Sequence, residues 1–196
     1  MKKLVPTGAL LIPETASCVY SGVIFNVHQW PQTLFDGSTE TFEMLSRPDT
    51  VVVIGVVDDK LVLIEDEQPT RAAHLTLPGG RVDPTDDSIL ATAKREMREE
   101  VGYSFANWKL VAVHQPVTKM EWFIHVYIAD AVIGQGPAHL DAGEKITPKL
   151  RSYAEVRQLV MQRQGDLGDT YDLFEKCLSL ADLLALSEFE GKLIAR

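Results

Sequence analysis

Cysteine, paired histidines and positive charge are all scarce in this sequence, and each shortage excludes a class of function. Its 196 residues include two cysteines, Cys18 and Cys177, far apart in the chain. A disulfide framework or a cysteine zinc site needs more than that, so a reducing cytoplasm is expected. The five histidines, His28, His74, His114, His125 and His139, show no spacing that places two on one metal ion, and core or surface roles are expected for them. Lys and Arg number 19 against 28 Asp and Glu, a net charge of -9. That balance argues against a nucleic-acid surface. It also means that a polyphosphate substrate would need metal ions to bridge it to the protein. No apolar run reaches the length of a membrane span. Met1-Lys2-Lys3 and the apolar stretch before Cys18 have the outline of a lipoprotein leader, but Pro6, Pro13 and Glu14 interrupt it and Thr15 fits poorly three residues before the cysteine.

What is present suffices for one domain with a proper core, since 45% of the residues are hydrophobic. Cys18 to Gln29 and Thr39 to Leu45, joined through Phe35-Asp36-Gly37-Ser38, read as a hairpin of two strands. After the break at Arg47-Pro48-Asp49, Val51 to Val57 and Lys60 to Glu65 form a second hairpin about Asp58-Asp59, apolar enough for the middle of a sheet. Trp108 to His114 and Glu121 to Ala129 read as further strands. Helices are expected from Tyr153 to Gln162 and from Thr170 to Ser187. Strands on both sides of one helix, with helices at the end, predict an α/β fold with a mixed sheet held between helices. There is no internal repeat or low-complexity tract.

The chain is organised around Leu77 to Tyr103. From Ser88 the apolar residues Leu90, Ala93, Met97 and Val101 recur at spacings of three and four, the mark of a helix with one buried stripe, and Gly102 ends it. At about 100° per residue, Glu99 lies roughly 60° to one side of Glu96 and Glu100 roughly 40° to the other. Three carboxylates on one face repel one another unless a cation sits among them, and hard oxygen ligands suit Mg²⁺ or Mn²⁺. A solvated acidic face, with Arg95 and Glu99 as an ordinary pair four residues apart, is the competing reading of those residues taken alone.

The longer pattern decides between them. Gly79-Gly80, Asp87 and then Arg95-Glu96-Met97-Arg98-Glu99-Glu100-Val101-Gly102-Tyr103 closely resembles the signature of the Nudix hydrolases. Asp87 replaces the first glutamate of that signature, and six residues rather than five separate it from Gly80. One extra loop residue before the helix accounts for the difference, because aligning Asp86 instead puts Lys94 where the arginine belongs. The resemblance implies a Nudix-type α/β/α sandwich and a structural pair between Asp87 and Arg95. It also implies a metal site of Glu96, Glu99 and Glu100 with the carbonyl of Gly79, Gly80 and Gly102 being structural.

The N-terminal hairpin resembles the ADP-ribose and sugar-nucleotide pyrophosphatase branch, where that segment serves a homodimer. Residues 1–48 are therefore expected to form an N-terminal segment and residues 49–196 the hydrolase domain with its C-terminal helices. In that branch a loop glutamate activates water, and Glu144 in Asp141-Ala142-Gly143-Glu144-Lys145 resembles it, with Glu99 as the substitute. Arg71 is the nearest match to the branch's substrate arginine. Pro116, Lys119 and Glu121 border the expected substrate loop, and Trp122 offers a ring for a base. The implied activity is Mg²⁺-dependent cleavage of a nucleoside diphosphate linked to a second moiety, most simply a sugar. A sanitising nucleoside triphosphate pyrophosphatase and a non-catalytic sugar-nucleotide-binding regulator are the alternatives.

Overall fold

The computed structural model describes residues 2–195; Met1, the start of the leader-like segment, and Arg196 lie outside the described residues. Its centre is a six-stranded sheet built from β5 (Thr50–Val57), β6 (Lys60–Gln68), β7 (Arg71–Thr76), β8 (Tyr103–His114), β10 (Ile124–Gln135) and β11 (Lys145–Ser152). The spatial order is β11-β6-β5-β10-β8, with β7 also paired to β6. Only β5 and β10 run parallel, Ile124 opposite Thr50 and Ala129 opposite Gly55, so the sheet is mixed.

Alternation along the central strands explains why this sheet is covered on both faces. Val51 and Val53 of β5, with Val62 and Ile64 of β6, pack against Ala93, Met97 and Val101 of α1 (Ile89–Val101). Ile54 and Val56, with Leu61 and Leu63, point the other way. They meet Tyr153, Val156 and Val160 of α2 (Tyr153–Met161), Phe174 of α3 (Tyr171–Lys176) and Leu183 of α4 (Leu180–Leu184). The result is the expected α/β/α sandwich.

β2 (Ser17–Ser21), β3 (Asn26–Thr33), β4 (Thr39–Ser46) and β9 (Met120–Glu121) make a second, four-stranded sheet. The expected two-strand hairpin is a three-strand meander, because a turn closed by Gly22 N–H to the Phe25 carbonyl (2.9 Å) divides Cys18 to Gln29. β1 (Lys2–Val5) pairs with β12 (Lys192–Ala195) and ties the two ends of the chain together. The single helix expected from Thr170 to Ser187 is also divided. A 3₁₀ turn at Gly168–Thr170 leads into α3, Cys177 is extended, and Ser179 starts α4 through a capping box with Asp182.

One irregularity of the central sheet builds the site. β5 and β6 pair only near their turn, Val56 with Leu61 and Val57 with Lys60. Farther along they separate, and the gap is filled by the segment after β7. Val53 N–H donates to the Pro78 carbonyl at 2.8 Å and Val51 N–H to that of Gly80 at 2.9 Å.

Candidate active site

The wedge of chain from Pro78 to Arg81 brings two glycines against the acidic face of α1. Ser88 starts that helix by accepting the Ala91 N–H, and Gly102 stops it in the left-handed region at φ 75°, where a Cβ would strike the Gly136 carbonyl. Between those caps Glu96, Glu99 and Glu100 face a cleft of about 960 Å³. Gly79, at φ 153°, passes so close to the Val51 carbonyl that a side chain has no room, and its N–H donates to Glu100 Oε2 at 2.8 Å. A Cβ on Gly80 would fall 2.5 Å from Glu96 Oε1, so the absence of a side chain there is what lets that carboxylate lie down.

Arg95 knits the rest of the face together. It reaches Glu96 Oε1 at 2.9 Å, Glu99 Oε2 at 2.8 Å and Asp86 with two bonds. The acid paired with it is thus Asp86, not Asp87, which is exposed. Five residues, the standard number, separate Asp86 from Gly80, so the extra residue of this signature falls between the acid and the arginine, where Ser88 caps the helix. The arginine holds the Asp86 carboxyl below the usual range, and Asp86 in turn raises Arg95 further.

Burial dominates the two remaining carboxyls. Glu100 is 6% exposed and is pushed up to about 9 by loss of water, opposed by the Gly79 N–H and reinforced by Glu96, Glu144 and Asp66. Glu96 is pushed up to about 7 by burial, against the pull of Arg95. Asp66, at the far end of β6, is 8% exposed, and among the described residues its Oδ1 has no hydrogen-bond partner. These are oxygen acceptors without enough donors, the chemistry that a hard divalent cation satisfies. Among the described residues no three His, Cys, Asp or Glu side chains already converge as a cage, because Arg95 draws Glu96 and Glu99 and Glu100 is turned to Gly79. The donor set therefore fits Mg²⁺ or Mn²⁺ in type.

The other predicted residues divide. Glu144 lies on the loop between β10 and β11, lines the same cleft and is close enough to raise both Glu96 and Glu100. Its Oε2 accepts the Asp141 N–H at 3.3 Å. Arg71 opens β7 at the rim and pairs with Asp166 at 3.2 Å. Pro116 lines the cleft, whereas Lys119 lies over the Phe42 ring outside it. Glu121 is turned away from the cleft, buried and accepting the Ile12 N–H at 2.7 Å, because the N-terminal segment needs that acceptor. Trp122 does line the cleft, but its Nε1 is tied to Thr50 Oγ1 at 3.0 Å and its ring carries the guanidinium of Arg47 at 4.5 Å. The ring is thus occupied by a side chain where a base was expected. Sequence reasoning missed Asp66, Arg47 and Arg81 as cleft residues. Asp86 was signalled by its five-residue gap from Gly80, while Arg47 sat in an Arg-Pro pair that signals only a break.

A family model described as the NUDIX domain matches residues 46–171. Among solved structures, a crystal structure of an ADP compounds hydrolase superposes with a TM-score of 0.61 and 21% identity, over 76% of this chain and 81% of that one. A NUDIX hydrolase from Nitrosomonas europaea superposes with a TM-score of 0.52 and 24% identity, over 65% of this chain and 86% of that one. At those identities both likenesses concern the fold. No curated protein matches the chain. Among the described residues, no helix is long and apolar enough to cross a membrane.

Proposed function

We propose, from the premise that the chain belongs to the NUDIX domain family and is a Nudix hydrolase, that it cleaves the pyrophosphate link of a nucleoside diphosphate joined to a second moiety. The products are a nucleoside monophosphate and, where that moiety is a sugar, a sugar phosphate. The observation that carries the reading is the pair of buried carboxyls, Glu96 and Glu100, folded against a glycine turn at the floor of a cleft large enough for a nucleotide sugar.

Glu96, Glu100 and the Gly79 carbonyl would hold Mg²⁺ or Mn²⁺, with Glu99 sharing. When bound, such an ion neutralises charge on phosphoryl oxygens and acidifies water. Glu144, on a loop at the mouth of the cleft, takes the proton of the attacking water; Glu99, 43% exposed at its side chain, is the substitute. Arg95, itself anchored by Asp86, orients Glu96 and Glu99 and keeps them from swinging into solvent. Arg71 at the rim is placed to meet a substrate anion by exchanging its partner Asp166.

Residues 1–48 are the proposed dimer element and 49–196 the hydrolase unit. Support comes from Val19, Tyr20, Val23 and Phe35, large apolar side chains left exposed on or beside the N-terminal sheet. Light scattering tests this, a monomer counting against it. A cytoplasmic setting accords with two free thiols, Cys18 exposed and Cys177 buried.

The deciding experiment offers purified protein and Mg²⁺ a panel of ADP-ribose, ADP-glucose, GDP-mannose, UDP-glucose and nucleoside triphosphates. Release of nucleoside monophosphate from a diphosphate member, lost in Glu100→Gln, is the expected result. Turnover of triphosphates alone would move the assignment to the sanitising class, and no turnover at all would remove the substrate class.

A further inference from the structure

The cleft is also lined by two arginines that the metal chemistry does not use. Arg47, in the link between β4 and β5, lies with its guanidinium carbon 4.5 Å from the centre of the Trp122 ring and 5.7 Å from that of Phe25. Its Nε is buried and, among the described residues, has no hydrogen-bond partner. Three residues on, Thr50 holds the Trp122 indole and forms an antiparallel bridge with Arg81. The two arginines therefore rise from adjoining backbone into one cleft. Among the described residues, the Arg81 side chain likewise has no ion pair or hydrogen bond.

This arrangement is unfavourable as it stands. Arg47 holds its proton less firmly than a free arginine, first because burial strips its water and then because Arg81 repels it, with Asp49 offsetting only part. Buried donors left unused and like charges side by side both raise the free energy of the empty cleft. A dianionic group relieves both at once. A guanidinium presents a planar fork that matches two phosphate oxygens, and an aromatic face fixes the plane of that fork. The carboxylates on α1 accept hydrogen bonds and cannot hold phosphate oxygens directly. Arg71 differs from this pair, since it already has an exchangeable partner in Asp166.

We propose that Arg47 and Arg81 form a phosphate clamp, holding the phosphoryl group of the substrate that the acidic face does not take. As an anion site it stands on its own; as a substrate subsite it rests on the hydrolase reading above.

Two measurements test the clamp on the full chain. In calorimetric titration with inorganic pyrophosphate, chelator present and salt low, wild-type protein binds. Arg47→Met and Arg81→Met each weaken binding by about 10-fold or more, as loss of a charge-assisted pair requires. Arg47→Lys, which keeps the charge and loses the fork, falls between. With whichever substrate the panel identifies, the same methionine variants raise KM by about 10-fold or more and leave kcat within about 3-fold, the mark of a lost binding contact. Arg81 is exposed, so its variant reports even if Arg47→Met proves unstable. Absence of pyrophosphate binding in wild type, or equal affinity in wild type and Arg81→Met, overturns the clamp. Turnover with unchanged KM in both variants overturns the clamp and leaves the hydrolase reading intact. Pyrophosphate affinity that falls as described, without turnover of any panel member, does the reverse.

Discussion

Arg95 grips Asp86 through two parallel hydrogen bonds, Nε to Oδ1 at 3.1 Å and Nη2 to Oδ2 at 3.0 Å. The same carboxylate also accepts from Thr92 Oγ1 at 2.8 Å and from the Asp83 N–H at 3.2 Å. It therefore staples the loop before α1 to the helix and aims the arginine that steadies Glu96 and Glu99. Asp86→Asn should lower unfolding free energy by about 2 kcal/mol, the worth of a hydrogen bond to a charged group. Asp87→Asn, on an exposed neighbour, should stay within about 0.5 kcal/mol of wild type. Urea midpoints for the two variants decide the matter, and the opposite order would return the pairing to Asp87.

The adjacent glycines should fail in different ways. At Gly80 the atom that a new Cβ meets is the end of the flexible Glu96 side chain, so Gly80→Ala should fold with near-normal stability while displacing that carboxylate. Its turnover should drop at least about 10-fold, as for a reacting group moved out of place. At Gly79 the obstacle is backbone, the Val51 carbonyl, and φ is 153°. Gly79→Ala should lose about 2 kcal/mol or more of stability. A thermal melt and an activity assay on each variant separate the two, and a severely destabilised Gly80→Ala would contradict the account.

Asp49 gives the N-terminal strand a dependence on acid. Lys3 Nζ reaches its Oδ2 at 2.7 Å, His125 Nε2 reaches the same oxygen at 3.3 Å, and the Phe123 N–H donates to Oδ1 at 3.0 Å. Burial pulls this carboxyl up, but the hydrogen bond from His125 and the ammonium of Lys3 prevail and hold it below the usual value. A depressed carboxyl stabilises the fold above its unfolded pKa, near 3.9, and loses that contribution as pH falls through the lower folded value. Wild-type urea midpoints should therefore fall below about pH 4. Asp49→Asn should be weaker at neutral pH with a flatter acid limb. An acid limb of unchanged steepness in the variant would show that Asp49 is not its source.

Glu144 should behave as a proton acceptor. Glu144→Gln should reduce kcat by about 100-fold or more with KM little changed, the range for loss of a general base. The side chain is only partly buried, so stability should hold. Should Glu99→Gln show that pattern while Glu144→Gln turns over normally, the base is Glu99.

How far the sequence revealed all this depended on whether the signal was local. β5 and β6 were legible because each alternates between two covered faces, and α1 because its apolar stripe and the Gly102 stop agree. β1 and β12 were not legible, since they pair across nearly the whole chain and neither has a pattern of its own. β11 carries Pro148 and several charges and lies at the sheet's edge, where alternation is weak. The division at Ser179 was signalled by Ser-Leu-Ala-Asp, a capping box inside an otherwise helical run. In the site, the helix glutamates are readable from spacing, but the eight-residue spacing to Arg95 points to Asp87, one residue beyond its actual partner Asp86. Arg47 and Arg81 could not be joined from sequence, because their proximity arises only where β5 leaves β6 and the glycine turn fills the gap.

Metal binding should be tied to protons. Burial raises Glu100 to about 9 and Glu96 to about 7, so near neutral pH the metal-free cleft keeps a proton on Glu100 and part of one on Glu96. A carboxylate must lose its proton to become a ligand. Mg²⁺ or Mn²⁺ affinity should therefore rise from about pH 6 to about pH 9 and flatten above, with protons released on binding. The stability of the metal-free protein should change in the opposite sense. A carboxyl raised above its ordinary 4.5 favours folding fully below that value and loses the contribution as pH climbs through the folded value, so midpoints under chelator should fall from about pH 4.5 to about pH 9. Glu100→Gln should remove the part of both trends above about pH 7. Calorimetry of Mn²⁺ binding in two buffers of different ionisation enthalpy counts the released protons. An affinity indifferent to pH and buffer would mean that neither buried carboxyl takes part in binding the ion.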